Sequence, residues 1–111
     1  MQHITAPELA KRLAAEGEGS EKPTPLLLDV RENWEFATCQ IPGSVQIPMA
    51  LVPIRISELD DDREIVCICH HGARSMQVAA FLERNGFTDV TNLTGGIHAW
   101  AVQVDGAMPT Y

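Results

Sequence analysis

The sequence predicts an α/β protein, with a mostly parallel sheet carrying helices on both faces. Three observations predict it. Short apolar runs of strand length occur at residues 26–30 and 65–68, each is followed by a stretch with helical spacing, and Gly, Pro or Asn marks the turns between such units. Runs of this kind read as strands buried on both faces. Strands that alternate with helices imply parallel pairing, and helices then cover the sheet.

Taken in order, His3-Ile4 reads as a first edge strand. Thr5-Ala-Pro-Glu8 has the form of a capping box, with Thr5 as N-cap and Glu8 three positions on. Leu9 and Leu13 with Ala10 and Ala14 continue it as a short amphipathic helix to about Ala15. Residues 16–25 are polar and rich in Gly and Pro, the signature of a surface loop. The strand at 26–30 follows, its apolar run broken by Asp29, and a short helix begins within residues 31–36. Ile41-Pro-Gly43 reads as a turn, and residues 45–48 as a brief strand stopped by Pro48. Residues 53–59 suggest a short helix with Pro53, Ile54, Ile56 and Leu59 as its apolar side, before the solvated acidic turn Asp60-Asp-Asp62.

After the strand at 65–68, Ser75, Val78, Ala79 and Leu82 fall on one helix face, leaving Gln77, Glu83 and Arg84 toward water. Asn85-Gly86 supplies a left-handed cap, with Phe87 placed to touch the helix behind it. Asp89-Val-Thr91 is the last strand. Thr94-Gly95-Gly96 turns into a helix over residues 97–102 with Ile97, Trp100 and Ala101 on one side, and residues 105–111 form a non-regular tail.

The 111 residues suit one compact domain, 1–111, with 45% hydrophobic and 21% charged residues. No apolar run reaches membrane-spanning length, and the N-terminus lacks the charged-then-apolar order of a secretory signal. Three cysteines without a framework spacing point to reduced thiols in a cytoplasmic setting. The net charge of −7 opposes nucleic acid and anionic membranes as partners.

The chemistry is concentrated at Cys69-His-His-Gly-Ala-Arg-Ser75. Cys69 stands at the carboxyl end of a strand, where sites in open α/β sheets lie, and a tight loop carries the chain into a helix. Loop amides and unsatisfied helix N–H groups favour an anion there, whether a bound oxyanion or the Cys69 thiolate itself. His70, His71 and Arg74 add positive or hydrogen-bonding groups to the rim. The plainer alternative for Cys69 is a buried structural cysteine. For Asp29 and Arg31 the plain reading, a structural ion pair or cap, is the preferred one. Cys67 reads as core, and Cys39 as structural, with a resolving thiol as its alternative.

Three chemistries can use such a cysteine. In the first, the thiolate takes a sulfane sulfur as a persulfide and passes it to a nucleophile. In the second it attacks phosphorus, which calls for a loop long enough to ring a phosphate; only four residues separate Cys69 from Arg74, a narrower cradle suited to sulfur. In the third, Cys67, Cys69, His70 and His71 bind a metal, but no second ligand cluster lies elsewhere in the chain. Sulfur transfer is therefore the expectation, with no metal and no cofactor.

The ordered set Leu28-Asp-Val-Arg-Glu32, Trp34-Glu-Phe36, Ile41-Pro-Gly43, Ile47-Pro48, Cys69-His-His-Gly-Ala-Arg-Ser75 and Asn92-Leu-Thr-Gly-Gly-Ile97 with Trp100 resembles a single-domain rhodanese. The resemblance implies a rhodanese-like fold with a central five-stranded parallel sheet. It implies a sulfurtransferase, taking sulfur from thiosulfate or a persulfide and giving it to cyanide, a thiol or a protein; the alternative is a sulfur-relay or interaction module that acts only with a partner protein. It places the persulfide on Cys69 and substrate against His70, His71, Gly72, Ala73, Arg74 and Ser75, with Asp29 and Arg31 in support. One departure stands out. Cys39-Gln40 occupies the place where the family often has Gly-His.

Overall fold

The computed structural model describes residues 1–15 and 24–111. The surface loop expected at residues 16–25 lies, through residue 23, outside them. The chain begins with strand β1 (Gln2–Ile4) and helix α1 (Ala6–Ala15), then β2 (Leu26–Asp29), α2 (Asn33–Thr38) and β3 (Val45–Gln46). A short helical segment with α3 (Val52–Arg55) at its centre leads to β4 (Ile65–Ile68), α4 (Ala73–Arg84), β5 (Val90–Leu93) and α5 (Gly96–Gln103). The five strands form one sheet in the order β1-β5-β4-β2-β3, and every pair is parallel. β4 is central, flanked by β2 and β5.

Period-2 alternation sorts the strand side chains into two cores. Leu28, Ile65 and Cys67 face the side covered by α3 and α4, where Val52, Val78, Ala79 and Leu82 meet them. Leu27, Val66 and Ile68 face the other side, packed by Leu9 of α1 and by Ile97 and Trp100 of α5. Helices on both faces thus follow directly from strands that are apolar on both. Cys69 continues the alternation of Cys67 and belongs to the α4 side.

The helix signals act as read. The Thr5 backbone N–H donates to Glu8 Oε1 at 3.0 Å and the Glu8 N–H donates to Thr5 Oγ1 at 3.3 Å, closing the capping box. α4 buries Ser75, Val78, Ala79 and Leu82, and Gly86 at φ +90° ends it while the Phe87 N–H returns to the Leu82 carbonyl at 3.1 Å. It begins two residues earlier than expected, so Ala73 and Arg74 lie in its first turn. The segment after β3 differs more. Its helix is broken into 3-10 turns at Met49–Leu51 and Ile56–Glu58 around α3, and Val52, not Ile54, points inward. Ile54 is 79% exposed. No helix among the described residues is long and apolar enough to cross a membrane.

Candidate active site

Parallel β2 and β4 end side by side, with Asp29 opposite Ile68, so Asp29, Arg31 and Cys69 share the carboxyl edge of the sheet. Beyond Cys69 the chain turns at Gly72, whose φ of +108° makes it the left-handed N-cap of α4. A Cβ at Gly72 would sit 3.4 Å from the Gly95 nitrogen and the Leu93 carbonyl, so the turn is also tight. This turn aims the Gly72 N–H at Cys69 Sγ, 3.0 Å away. The Ser75 hydroxyl, from the first turn of α4, lies 3.3 Å from the same sulfur. Both donors face the one atom that would carry negative charge.

The back of the loop is held by α5. Its first amides, on Ile97 and His98, donate to the carbonyls of Cys69 (2.8 Å) and His70 (3.1 Å). A Cβ on Gly96 would come within 2.4 Å of the Cys69 carbonyl, so only glycine lets the helix approach this closely. The orphan donors of α5 are therefore used to hold the Cys69 and His70 carbonyls.

Arg74 does not stand free on the rim. Its Nη1 and Nη2 donate to both oxygens of Glu35 at 2.7 and 2.8 Å. Glu35 is positioned by α2, where its carboxylate also caps the Glu32 N–H at 3.0 Å. Arg74 holds the Glu35 carboxyl far below the ordinary range, at about 2, and Glu35 in turn raises Arg74 further. Beneath this pair Arg31 is fully buried. Its N–H groups reach four acceptor groups: the Asp29 carboxylate from Nε (2.9 Å) and Nη2 (2.7 Å), the Cys39 carbonyl from Nη2 (2.6 Å), and the Glu35 carbonyl (3.1 Å) and Tyr111 hydroxyl (2.9 Å) from Nη1. Burial alone would lower the Arg31 pKa; the bonds to Asp29 and Tyr111 outweigh it and raise it.

His70 is half-buried and stacks on the Tyr111 ring, centroids 4.0 Å apart and planes 14° from parallel. Burial lowers its pKa, and the neighbouring His71 adds to the shift. His71 is exposed, its ring 4.0 Å from His70 and 5.1 Å from His98. Cys67 is sealed in the core, where burial pushes its thiol up to about 12. Among the described residues, the one set of three ligand-type side chains found close enough for an ion is the exposed Asp60, Asp61 and Asp62, a kind of cluster common without one.

A family model described as the Rhodanese-like domain matches residues 5–103. The chain belongs to the rhodanese-like family. A sulfurtransferase of Allochromatium vinosum is 43% identical over 101 residues, covering 91% of this chain and 89% of the relative. The thiosulfate sulfurtransferase GlpE of Pseudomonas syringae pv. syringae is 35% identical, covering 85% and 82%. A crystal structure of a rhodanese-like domain protein from Staphylococcus aureus superposes with a TM-score of 0.81 at 32% identity, covering 100% and 99%.

Within this rhodanese-like chain the structure gathers Cys69, Gly72 and Ser75 around one sulfur, turns Arg74 to Glu35, and connects Asp29 and Arg31 to the loop through Glu35 and Tyr111. Three residues of this constellation went unnoticed as site residues in the sequence: Glu35, Asn92 and Tyr111. Asn92 is buried on β5, with its Oδ1 2.5 Å from the Ser75 hydroxyl oxygen. A usable signal existed for Glu35, an acid between two aromatic residues three positions after a helix N-cap. Asn92 opens the Asn92-Leu-Thr-Gly-Gly-Ile97 motif, which marks its segment without giving it a role, and nothing comparable marks Tyr111.

Proposed function

We propose that this chain is a sulfurtransferase that carries a sulfane sulfur as a persulfide on Cys69. The observation that supports it is the pair of donors, the Gly72 N–H at 3.0 Å and the Ser75 hydroxyl at 3.3 Å, directed at Cys69 Sγ. Donors held in place beside the reacting atom stabilise charge where it develops; the Gly72 N–H does so without reorganisation, and the Ser75 hydroxyl needs only to rotate.

The Cys69 thiolate attacks the outer sulfur of thiosulfate. A Cys69 S–S bond forms, the sulfur–sulfur bond of the donor breaks, and sulfite departs with its electron pair. The terminal persulfide sulfur bears the negative charge, next to the donors of the loop formed by His70, His71, Gly72, Ala73, Arg74 and Ser75. A nucleophilic acceptor, cyanide or a thiolate, then bonds to that terminal sulfur and the electron pair returns to Cys69. No external oxidant or reductant enters the balance. Cys69 is only 1% exposed, which favours donors that present a slim, electrophilic sulfane sulfur, on a small molecule or on the persulfide of a relay protein, and acceptors that present a slim sulfur or carbon nucleophile. Asp29 and Arg31 support the loop from below. The expected setting is the cytoplasm, where thiol acceptors are abundant.

The test is an intact mass spectrum after thiosulfate treatment, followed by peptide mapping and cyanide addition. One added sulfur on Cys69, released as thiocyanate and absent in Cys69→Ser, is the expected result. Sulfur on Cys39 or Cys67, or none at all, overturns the reading.

A further inference from the structure

The Tyr111 side chain touches one end of the Cys69 loop directly and reaches the other through Glu35. Its ring lies flat on His70, the residue after the nucleophile, and its hydroxyl is 2.9 Å from the Glu35 oxygen that also binds Arg74, the loop's last cation. The same hydroxyl is 2.9 Å from Arg31 Nη1. Arg31 can only donate and the Glu35 carboxylate can only accept, so the single phenolic proton points at Glu35. A continuous chain results, running Asp29, Arg31, Tyr111, Glu35, Arg74, and the two bonds that meet at the Tyr111 hydroxyl, one accepted and one donated, strengthen each other. Burial pushes the Tyr111 hydroxyl up to about 12, so it remains a neutral donor at working pH. Trp34 closes the far edge of the ring, centroids 5.4 Å apart.

We propose that Tyr111 is a positioning residue for sulfur transfer, acting through His70 and Glu35 to hold the loop donors in register with Cys69. The inference rests on the sulfur-transfer reading above. The tail that reads in sequence as a non-regular appendage thereby becomes a brace, anchored at Asp29–Arg31 and seated on the loop. Ring and hydroxyl have separable tasks: the ring seats His70, and the hydroxyl couples Arg31 to the Arg74 clamp.

The test compares Tyr111→Phe and Tyr111→Ala in the full chain, by single-turnover persulfide formation from thiosulfate and by NMR of the His70 ring protons. Misplaced donors are expected to slow persulfide formation by about 100-fold in Tyr111→Ala, in kcat more than in KM, and by a smaller factor in Tyr111→Phe. The stacked ring shifts the His70 protons upfield in wild type and in Tyr111→Phe; in Tyr111→Ala that shift is lost. Burial is the largest cause of the lowered His70 pKa, so the His70 titration in Tyr111→Ala should rise; His71, His98 and Glu35 still face the ring, and the raising hydrogen bond with the Tyr111 backbone does not need its side chain. A tail with a merely structural role would lower stability and leave the single-turnover rate of persulfide formation unchanged. Persulfide formation within twofold of wild type in a folded Tyr111→Ala overturns the inference and leaves the sulfur-transfer reading intact. If wild type itself gains no sulfur, that reading fails first, and the NMR measurements still report whether Tyr111 seats His70. Unchanged His70 signals overturn the seat.

Discussion

The Ser75 hydroxyl oxygen lies 2.5 Å from Asn92 Oδ1 and 3.3 Å from Cys69 Sγ, with the Gly72 carbonyl a third acceptor at 3.1 Å. One hydroxyl proton faces three acceptors, so it serves one at a time. Asn92 Nδ2 donates to the Gly72 carbonyl at 3.3 Å, which fixes the amide with its oxygen toward Ser75. The shortest contact holds the proton on the Asn92 side while the sulfur is neutral. A negative sulfur attracts it instead, since hydrogen bonds to charged acceptors are the stronger ones. Ser75 is thus a donor kept in reserve within a dry site.

Ser75→Ala removes that donor and leaves buried Asn92 Oδ1 without a partner. Persulfide formation should slow by about 100-fold, the scale of losing one donor to a developing charge. Stability should fall by about 1–3 kcal/mol for the unpaired buried amide. Stopped-flow sulfur transfer and urea melts measure the two separately. A variant that loses stability and keeps its rate would show that Ser75 serves only the fold.

The sheet and its central unit were legible because the period changes abruptly, from the run at Ile65–Ile68 to the helical spacing of Ser75, Val78, Ala79 and Leu82. Both patterns are local. The segment after β3 was misread because Pro53, Ile54, Ile56 and Leu59 fit a continuous helix, whereas the chain takes two 3-10 turns and buries Val52. Cys69 and Gly72 are neighbours in sequence, so their geometry could be anticipated. Arg74 could not be placed in the same way: its partner Glu35 is 39 residues distant, and Tyr111 lies 76 residues beyond Glu35. Whether a cation faces a ligand or a carboxylate depends on packing that brings distant elements together, and no spacing rule reports it.

Cys67 and Cys69 are two residues apart on one strand face, yet their environments separate them. Burial holds the Cys67 thiol near 12, so it is fully protonated at neutral pH. Cys67→Ser should lower stability by about 1–3 kcal/mol for a hydroxyl in an apolar core, with sulfur transfer retained. Iodoacetamide should leave Cys67 unlabelled in the folded protein and label it only on unfolding. Loss of transfer in folded Cys67→Ser would reassign the nucleophile.

Gly96→Ala tests the approach of α5 to the loop. The new Cβ would lie 2.4 Å from the Cys69 carbonyl and 2.5 Å from that of His70, at a φ of +61°. Either α5 withdraws or the loop shifts, and displacement at the nucleophile should cost about 100-fold in rate. Gly86→Ala is the control. It also has a positive φ, +90°, but nothing lies within 4 Å of its Cβ. It should lose about 1 kcal/mol through backbone strain and transfer sulfur normally.

The bidentate Glu35–Arg74 pair makes opposite predictions for two roles of Arg74. If the cation acts by attracting an anionic donor, Glu35→Gln unmasks its charge and strengthens thiosulfate turnover. If the pair acts as a clamp, as the geometry favours, Glu35→Gln and Arg74→Ala both slow transfer, and the double variant is no worse than either. Acid unfolding reads the same pair. The folded Glu35 carboxyl is depressed to about 2 by Arg74, against ~4.3 in an unfolded chain. Its contribution is therefore complete above the unfolded value and disappears as pH falls from there toward about 2. The melting temperature of wild type should drop more steeply across that window than that of Glu35→Gln, and Arg74→Ala should share the flatter profile. A wild-type slope retained in Arg74→Ala would mean that something other than the guanidinium holds the carboxylate ionised, and the clamp would lose its physical basis.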